Sequence, residues 1–320
     1  LKHSAQLAEK YGLRAGLLSF EPRSVPDQLL ERYPMLRGAR VDHPLRSFRP
    51  RYNLTTAHPV VLDHYAEMLG KIMQEAPNID YMVVWSNDSG AGFEYTSSLY
   101  VGRNGGGYVI REFKGDDAIA KAAADNMMRF MKTLRDAGRR VNPDFFSVLR
   151  SEMFWVEDPY IKEQIEDGID LEVNSLVAQG FDLGYEHPKY DWAGDFNFCG
   201  LFNQCAEEES IARKEVEATG SRAHLFFSPG SFWNQEPILA PVYPKLLFER
   251  LHALHKQGFS HAAGLTGTIA PEMAPYNINQ EVLSAFQNDP SVDIDDVLSQ
   301  RAHAWVGPDE AAHLIDIWNH

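Results

Sequence analysis

The stretch Ile79–Tyr95, IDYMVVWSNDSGAGFEY, decides how this chain is read. Tyr81 to Trp85 form a continuous apolar run, which suits a strand buried on both faces in a parallel sheet covered by helices. The run ends directly in Ser86, Asn87, Asp88 and Ser89, on a turn loosened by Gly90 and Gly92. An amide, a carboxylate and hydroxyls are thus placed at a strand's carboxyl end, where α/β folds keep their ligand and catalytic groups. Taken alone, Asn87 and Asp88 would read as an Asx turn bonding its own backbone. Recurrence of the same strand-to-polar-tip pattern elsewhere favours a site.

The pattern recurs at Ala15–Phe20, which closes in Glu21-Pro22-Arg23, and at 145–149, which closes in Arg150-Ser151-Glu152. It returns at 169–173 (ending in Asn174), at 223–228 (before Trp233 and Glu236) and at 259–265 (before Thr266 and Glu272). Amphipathic helices alternate with these runs: one ends at Tyr11, and others span about 59–76, 116–140, 160–166, 204–219 and 243–257. Such alternation argues for a parallel sheet. The expected architecture is an α/β (β/α)8 TIM-type barrel lacking or truncated at its first strands, with a doubly wound sheet as the alternative. Residues 1–320 read as a single catalytic barrel domain, with loop insertions at about 34–54, 89–113 and 180–203 and an acidic helical tail at about 289–320. GRNGGG at 102–107 lacks the strand-to-helix setting of a dinucleotide loop and reads as part of the second insertion.

The bulk numbers narrow the function. A length of 320 residues with 44% apolar composition permits a large core. No run approaches the length of a membrane span. A net charge of -15 argues against nucleic acid, whose binding needs a basic face. Cys199 and Cys205 are too few for a disulfide scaffold and have no zinc-site spacing. The 12 histidines include neither H-x-H nor H-E-x-x-H, so neither a metal nor another cofactor is called for; His43 and His58 read as structural. A chain opening on Leu1 inside an amphipathic helix reads as processed or truncated upstream, and a secreted or periplasmic protein is favoured over a cytoplasmic one.

Carboxylates, amides, an arginine and tryptophans gathered at one barrel mouth suit glycoside hydrolysis, in which one acid protonates the leaving oxygen and a second carboxylate assists at the anomeric centre. Asp88 and Glu152 are the first candidates for that pair and Glu94 the third. Glu21, Arg23, Trp85, Asn87, Asn174, Tyr185, Trp192 and Trp233 are candidate substrate-binding residues, the expected partner being a carbohydrate. A metal-dependent hydrolase and a non-catalytic carbohydrate-binding protein remain as alternatives.

Two segments carry a family resemblance: YGLRAGLLSFEPRSVP (11–26) and TTAHPVVLDHYAEMLGKIMQEAPNIDYMVVWSNDSGAG (55–92). Together they resemble the middle of hexosaminidase-like (family 20) glycoside hydrolases, in which a strand with a polar end precedes a helix of the form P-x-V-x-x-x-Y, here Pro59, Val61 and Tyr65. The resemblance, over about residues 11–94, implies a (β/α)8 barrel and retaining hydrolysis. It also implies an Asp that orients the substrate acetamide, followed by a Glu acting as acid/base. Here that position reads Asn87-Asp88, so Asp88 takes the role of acid/base or orienter and the second carboxylate must come from elsewhere, with Glu94 or Glu152 available.

Overall fold

The computed structural model describes residues 1–42, 48–87, 90–97, 103–112, 115–151, 154, 156–173, 207–227, 242–264 and 277–319. The chain divides into two compact units, Leu1–Glu172 with Lys214–Ala223, and Val173–Arg213 with His224–His320.

The first unit is built on four parallel strands in the order β1 (Ala15–Ser19), β4 (Ile79–Val84), β5 (Phe146–Arg150), β6 (Ile169–Val173). Four of the six apolar runs thus become neighbouring strands in sequence order, within a residue or two of the expected ends. Helices follow them: α3 (Pro59–Glu75) before β4, α4 (Asp116–Arg139) before β5 and α5 (Asp158–Lys162) before β6, while α1 (Lys2–Lys10) precedes β1. Helix α3 starts where Pro59 takes its first turn and the His58 ring accepts a hydrogen bond from the Val60 amide. Helix α4 begins on Asp116 and Asp117 and ends on Arg139, charges that match the two ends of its dipole.

Strand parity separates two faces of this sheet. Met82, Val84, Leu149, Leu171 and Val173 lie buried on one. Ser147, on that same face, donates from Oγ to the Met131 carbonyl of α4 at 3.4 Å, which identifies it as the helix-covered side. Phe130 anchors the helical layer, meeting Tyr65 of α3 edge-on with ring centroids 4.9 Å apart. The opposite face carries Gly16, Tyr81 and Phe146 across the sheet, then Val148 with Asp170, then Phe20, Trp85, Arg150 and Glu172 at the strand ends. Gly16 is needed there, because a Cβ would sit 2.2 Å from the Tyr81 ring. Tyr81 stacks on Phe146 (5.2 Å), Arg222 lies 3.8 Å over Phe146, and its Nε pairs with Asp170 at 2.8 Å.

The expected insertion at 34–54 has structure of its own. A short helix α2 (Asp27–Arg32) and a 3-10 turn (Pro34–Leu36) lead into β2 (Arg37–Arg40), which pairs antiparallel with β3 (Tyr52–Leu54). These strands are four and three residues long, too short for an alternating pattern to show.

In the second unit β7 (Ala223–Phe227) pairs in parallel with β8 (His261–Gly264). Helix α6 (Glu207–Glu217) precedes β7 and α7 (Pro244–Lys256) precedes β8. Helix α8 (Ile278–Asn288) packs on α7 through Phe248 and Phe286 (5.7 Å). The acidic tail forms α9 (Ile294–Val306) and α10 (Pro308–Asn319), joined at Gly307 (φ 83°) and held by the edge-on pair Trp305–Trp318. Among the described residues no helix is long and apolar enough to cross a membrane.

Gly138 tests the packing of α4. A Cβ there would lie 2.2 Å from the fully buried Phe145 ring. Gly138→Ala should therefore lower stability by about 1–3 kcal/mol through overpacking, despite the better helix propensity of alanine. Urea denaturation midpoints of the two proteins measure this; an unchanged or higher midpoint would show that the Phe145 ring can yield.

Candidate functional site

The carboxyl ends of β1, β4, β5 and β6 are joined by one stack, half-buried at Phe20 and buried at Trp85, Arg150 and Glu172. Trp85, 4% exposed, has Phe20 against it (5.2 Å, 26° between planes) and the Arg150 guanidinium 3.6 Å from its ring centre. Arg150 Nε lies 3.2 Å from Glu172 Oε1, with both side chains 3% exposed. Ser151 reinforces this end of the sheet, donating from Oγ to the Glu172 carbonyl at 2.8 Å. The structure turns Glu172, with Asp170, toward the guanidinium groups and away from α4.

Glu21 follows β1 and is half-buried. Its carboxylate accepts from Ser19 Oγ (3.2 Å), the Arg23 amide (2.9 Å) and the Tyr65 hydroxyl (2.9 Å). Burial, and then the Glu21 charge, push the Tyr65 phenol far above its ordinary value, so it stays a donor. Arg23 meets Glu21 through its backbone, while its exposed guanidinium lies 5.9 Å from the Phe20 ring centre. The backbone here is stitched to the segment after β4: Arg23 bridges Ala91, Ser24 N donates to Gly90 O (2.9 Å) and Gly92 N to Pro22 O (2.9 Å).

Beyond Trp85, Asn87 takes a left-handed conformation (φ 58°), which asparagine tolerates better than most residues. It is 4% exposed, and its amide donates to Ser97 O (2.9 Å) and Thr96 Oγ1 (3.1 Å). These bonds tie Asn87 to the far side of the excursion after β4.

Two buried carboxylates anchor that excursion. Glu94, 1% exposed, accepts from Thr55 Oγ1 (2.5 Å), the Gly106 amide (2.9 Å) and the Ala57 amide. Burial outweighs these bonds and raises its carboxyl above the ordinary range. Glu157, fully buried, accepts from the Ser97 amide (2.9 Å) and pairs with Arg103 (2.8 Å), which also donates to Tyr95 O (2.6 Å). Asn53 completes the seam by donating to the Gly92 carbonyl and, at 3.4 Å, to the Pro22 carbonyl.

Of the residues expected at a site, Glu21, Arg23, Trp85, Asn87 and Glu94 lie on the segments after β1 and β4, which the backbone bonds hold together. Asp88, Glu152, Asn174, Tyr185, Trp192 and Trp233 lie outside the described residues, as do Glu236, Thr266, Glu272 and His43. Sequence reasoning missed Arg150 as the centre of the stack, and Glu157 and Thr55 as holders of the loop. An arginine at a strand end before Ser151-Glu152 was a visible signal. No local pattern links Glu157 to Arg103 across 54 residues.

No protein-family model matches the sequence, and no curated protein sequence does. Solved structures do resemble it. A GH138 enzyme targeting pectin rhamnogalacturonan II is similar with a TM-score of 0.55 at 8% identity, over 97% of this chain and 31% of that one. A β-galactosidase from the psychrophilic Marinomonas ef1 is similar at 0.49 and 13% identity, over 92% of this chain and 53% of that one. A GH36 α-galactosidase from Geobacillus stearothermophilus gives 0.43 and 13%, over 90% and 33%. The chain therefore spans about half the length of the Marinomonas enzyme and about a third of the other two. The first of these is a likeness of fold alone: the chain shares an α/β fold with that GH138 enzyme.

Glu94 provides a test of this seam. Because its folded carboxyl lies above the ordinary value, the stability it contributes is full below the unfolded pKa and is lost as pH rises through the folded one. The nearly isosteric Glu94→Gln should remove that slope. The stability of wild type relative to the variant should fall as pH is raised from about 4 to about 7. Parallel urea-midpoint profiles over that range would show that Glu94 is not strained by its burial.

Proposed function

We propose that this chain is the catalytic barrel of a glycoside hydrolase that cleaves a glycosidic bond in a complex glycan by two-carboxylate acid/base chemistry. The observation that carries the proposal is the stack Phe20–Trp85–Arg150–Glu172 at the carboxyl ends of adjacent parallel strands. Trp85, Arg150 and Glu172 form a buried floor, and in sequence the candidate acids follow Trp85 and Arg150 within three residues. The fold likeness to a glycoside hydrolase at a TM-score of 0.55 supports the same reading.

We further propose that the sheet closes as a (β/α)8 barrel. Both faces of β5 and β6 are buried, and the face away from the helices carries layered side chains, as barrel interiors do. The catalytic pair is assigned to Asp88, three residues beyond Trp85, and Glu152, two residues beyond Arg150, both Trp85 and Arg150 being members of the stack. A carboxyl group beside buried apolar surface holds its proton more strongly, which suits the acid that protonates a leaving oxygen. Glu94, with its oxygens engaged by Thr55, Ala57 and Gly106, fits a positioning role better than a reacting one. Likewise Trp85, enclosed by Phe20 and Arg150, fits the floor; Trp192 and Trp233 are the candidate sugar platforms. Glu21, Arg23, Asn87, Asn174 and Tyr185 are the candidate hydroxyl binders. The resemblance over residues 11–94 makes a hexosaminidase-like activity the first to assay, with pectic glycans next, since the GH138 neighbour is named for these.

Asp88→Asn separates the roles. If Asp88 is the acid, turnover of glycosides with poor leaving groups should drop by roughly a hundredfold or more. Aryl glycosides with acidic leaving groups, which need little protonation, should lose far less. Equal losses on both would move Asp88 to nucleophile, base or orienter. Full activity on both would remove it from the site, and absence of any glycosidase activity in the wild type would favour a carbohydrate-binding protein.

A further inference from the structure

The first unit holds an open pocket of about 630 Å³, lined by none of the stack residues. Its volume falls in the range of small-molecule sites, about 300–1,000 Å³. Every described residue that lines it belongs either to the segment between β1 and α3 or to the segment between β4 and α4. Both segments leave the carboxyl ends of parallel strands, so the pocket lies on the side of the sheet where α/β enzymes bind ligands.

Its chemistry is mixed and fixed in place. Leu30 and Met35 supply apolar surface. The Tyr52 ring is backed by the Arg37 guanidinium at 4.9 Å, and Tyr108 is met edge-on by His58 at 4.9 Å. His58 is itself tied to the start of α3. On the loop side the wall is bare backbone. A Cβ on Gly106 would lie 2.6 Å from the Arg37 carbonyl, whereas one on Gly107 would meet open space. Among the described residues Asp27 pairs with Arg49 (3.1 Å), while Arg37 and Glu31 form no ion pair with each other or with another side chain.

We propose that this pocket is a subsite for a neutral sugar unit of the glycan, apart from the unit whose bond is cleaved. A pyranose presents an apolar C–H face and a rim of hydroxyls. The two supported tyrosines and the apolar wall suit the face; Arg37 as donor and Glu31 as acceptor suit the hydroxyls. A purely apolar ligand would bury those two charged groups without partners, at considerable cost. A uronate would bring its carboxylate up to Glu31 and Asp27. The inference rests on the glycan-hydrolase reading but concerns different residues. It ties the pocket to the site through Gly106, whose amide holds Glu94.

The test measures binding and turnover separately. In an Asp88→Asn background, maltohexaose, cellohexaose, xylohexaose and galactohexaose are titrated calorimetrically one by one, with trigalacturonate as the acidic comparison. At least one neutral hexasaccharide should bind more tightly than trigalacturonate. Gly107→Phe, which fills the space beside the wall, and Tyr108→Ala, which removes a ring, should each weaken that binding tenfold or more, about 1.4 kcal/mol. Turnover of short aryl monoglycosides by the otherwise native chain should be unaffected by Gly107→Phe. Failure of all four neutral sugars to bind, tighter binding of trigalacturonate, or binding indifferent to both substitutions overturns the subsite. Aryl glycoside turnover in that event leaves the hydrolase reading standing. Variant-sensitive sugar binding without any turnover supports the subsite and removes the hydrolase reading instead.

Discussion

A buried arginine organises the functional end of the first unit. Arg150 is 3% exposed, lies 3.6 Å from the Trp85 ring centre and pairs with Glu172 on the next strand. Withdrawing a guanidinium and a carboxylate from water costs several kcal/mol each, and their attraction offsets this only in good geometry. Register provides that geometry, because Arg150 and Glu172 are direct neighbours across β5 and β6. Trp85 then adds a cation–π contact in a desolvated setting, where such contacts are strongest. Loss of one member would leave a buried charge without its counterpart, so three strand ends hold their positions jointly. The lower layer repeats the device with Arg222, Phe146 and Asp170.

Above that floor, two long segments would be free to move were they not joined. The bridge between Arg23 and Ala91, the Asn53 amide and the Glu94 carboxylate make them one body, and the Glu157 carboxylate ties the second of them to the segment before α5. Carboxylates serve well here because each oxygen can accept more than one donor, and segments of irregular backbone have amide groups to satisfy. Glu157 does so with a charge partner, Arg103. Glu94 does so against burial, with backbone amides and a hydroxyl only, and its carboxyl is raised accordingly. The pocket beside Gly106 follows from the same joining, since its walls come one from each segment.

This arrangement shows why a site can be only partly legible in a sequence. The apolar runs ending in Glu21, Trp85 and Arg150 were readable because burial on both faces of a parallel strand requires continuous hydrophobicity, and a polar tip then stands out. The pairing of Arg150 with Glu172, 22 residues apart, depends on strand register, which no local pattern encodes. Glu94 and Asn87 illustrate the limit from the other side. Both were picked out by residue type, yet their described bonds are to Thr55, Gly106, Thr96 and Ser97, which hold the loop.

By itself the sequence determined the alternation of strands and helices, the sheet-forming segments from Ala15 to Gly264 and the acidic helical tail. Those properties follow from periodicity and capping, which act between residues close in the chain. Tertiary structure alone decided that 34–54 contains a paired ribbon, that Trp85 is enclosed by Phe20 and Arg150, and that Glu157 reaches Arg103. The physical reason is that burial and ion pairing act between residues far apart in sequence, and only the packed chain brings them within a few ångströms.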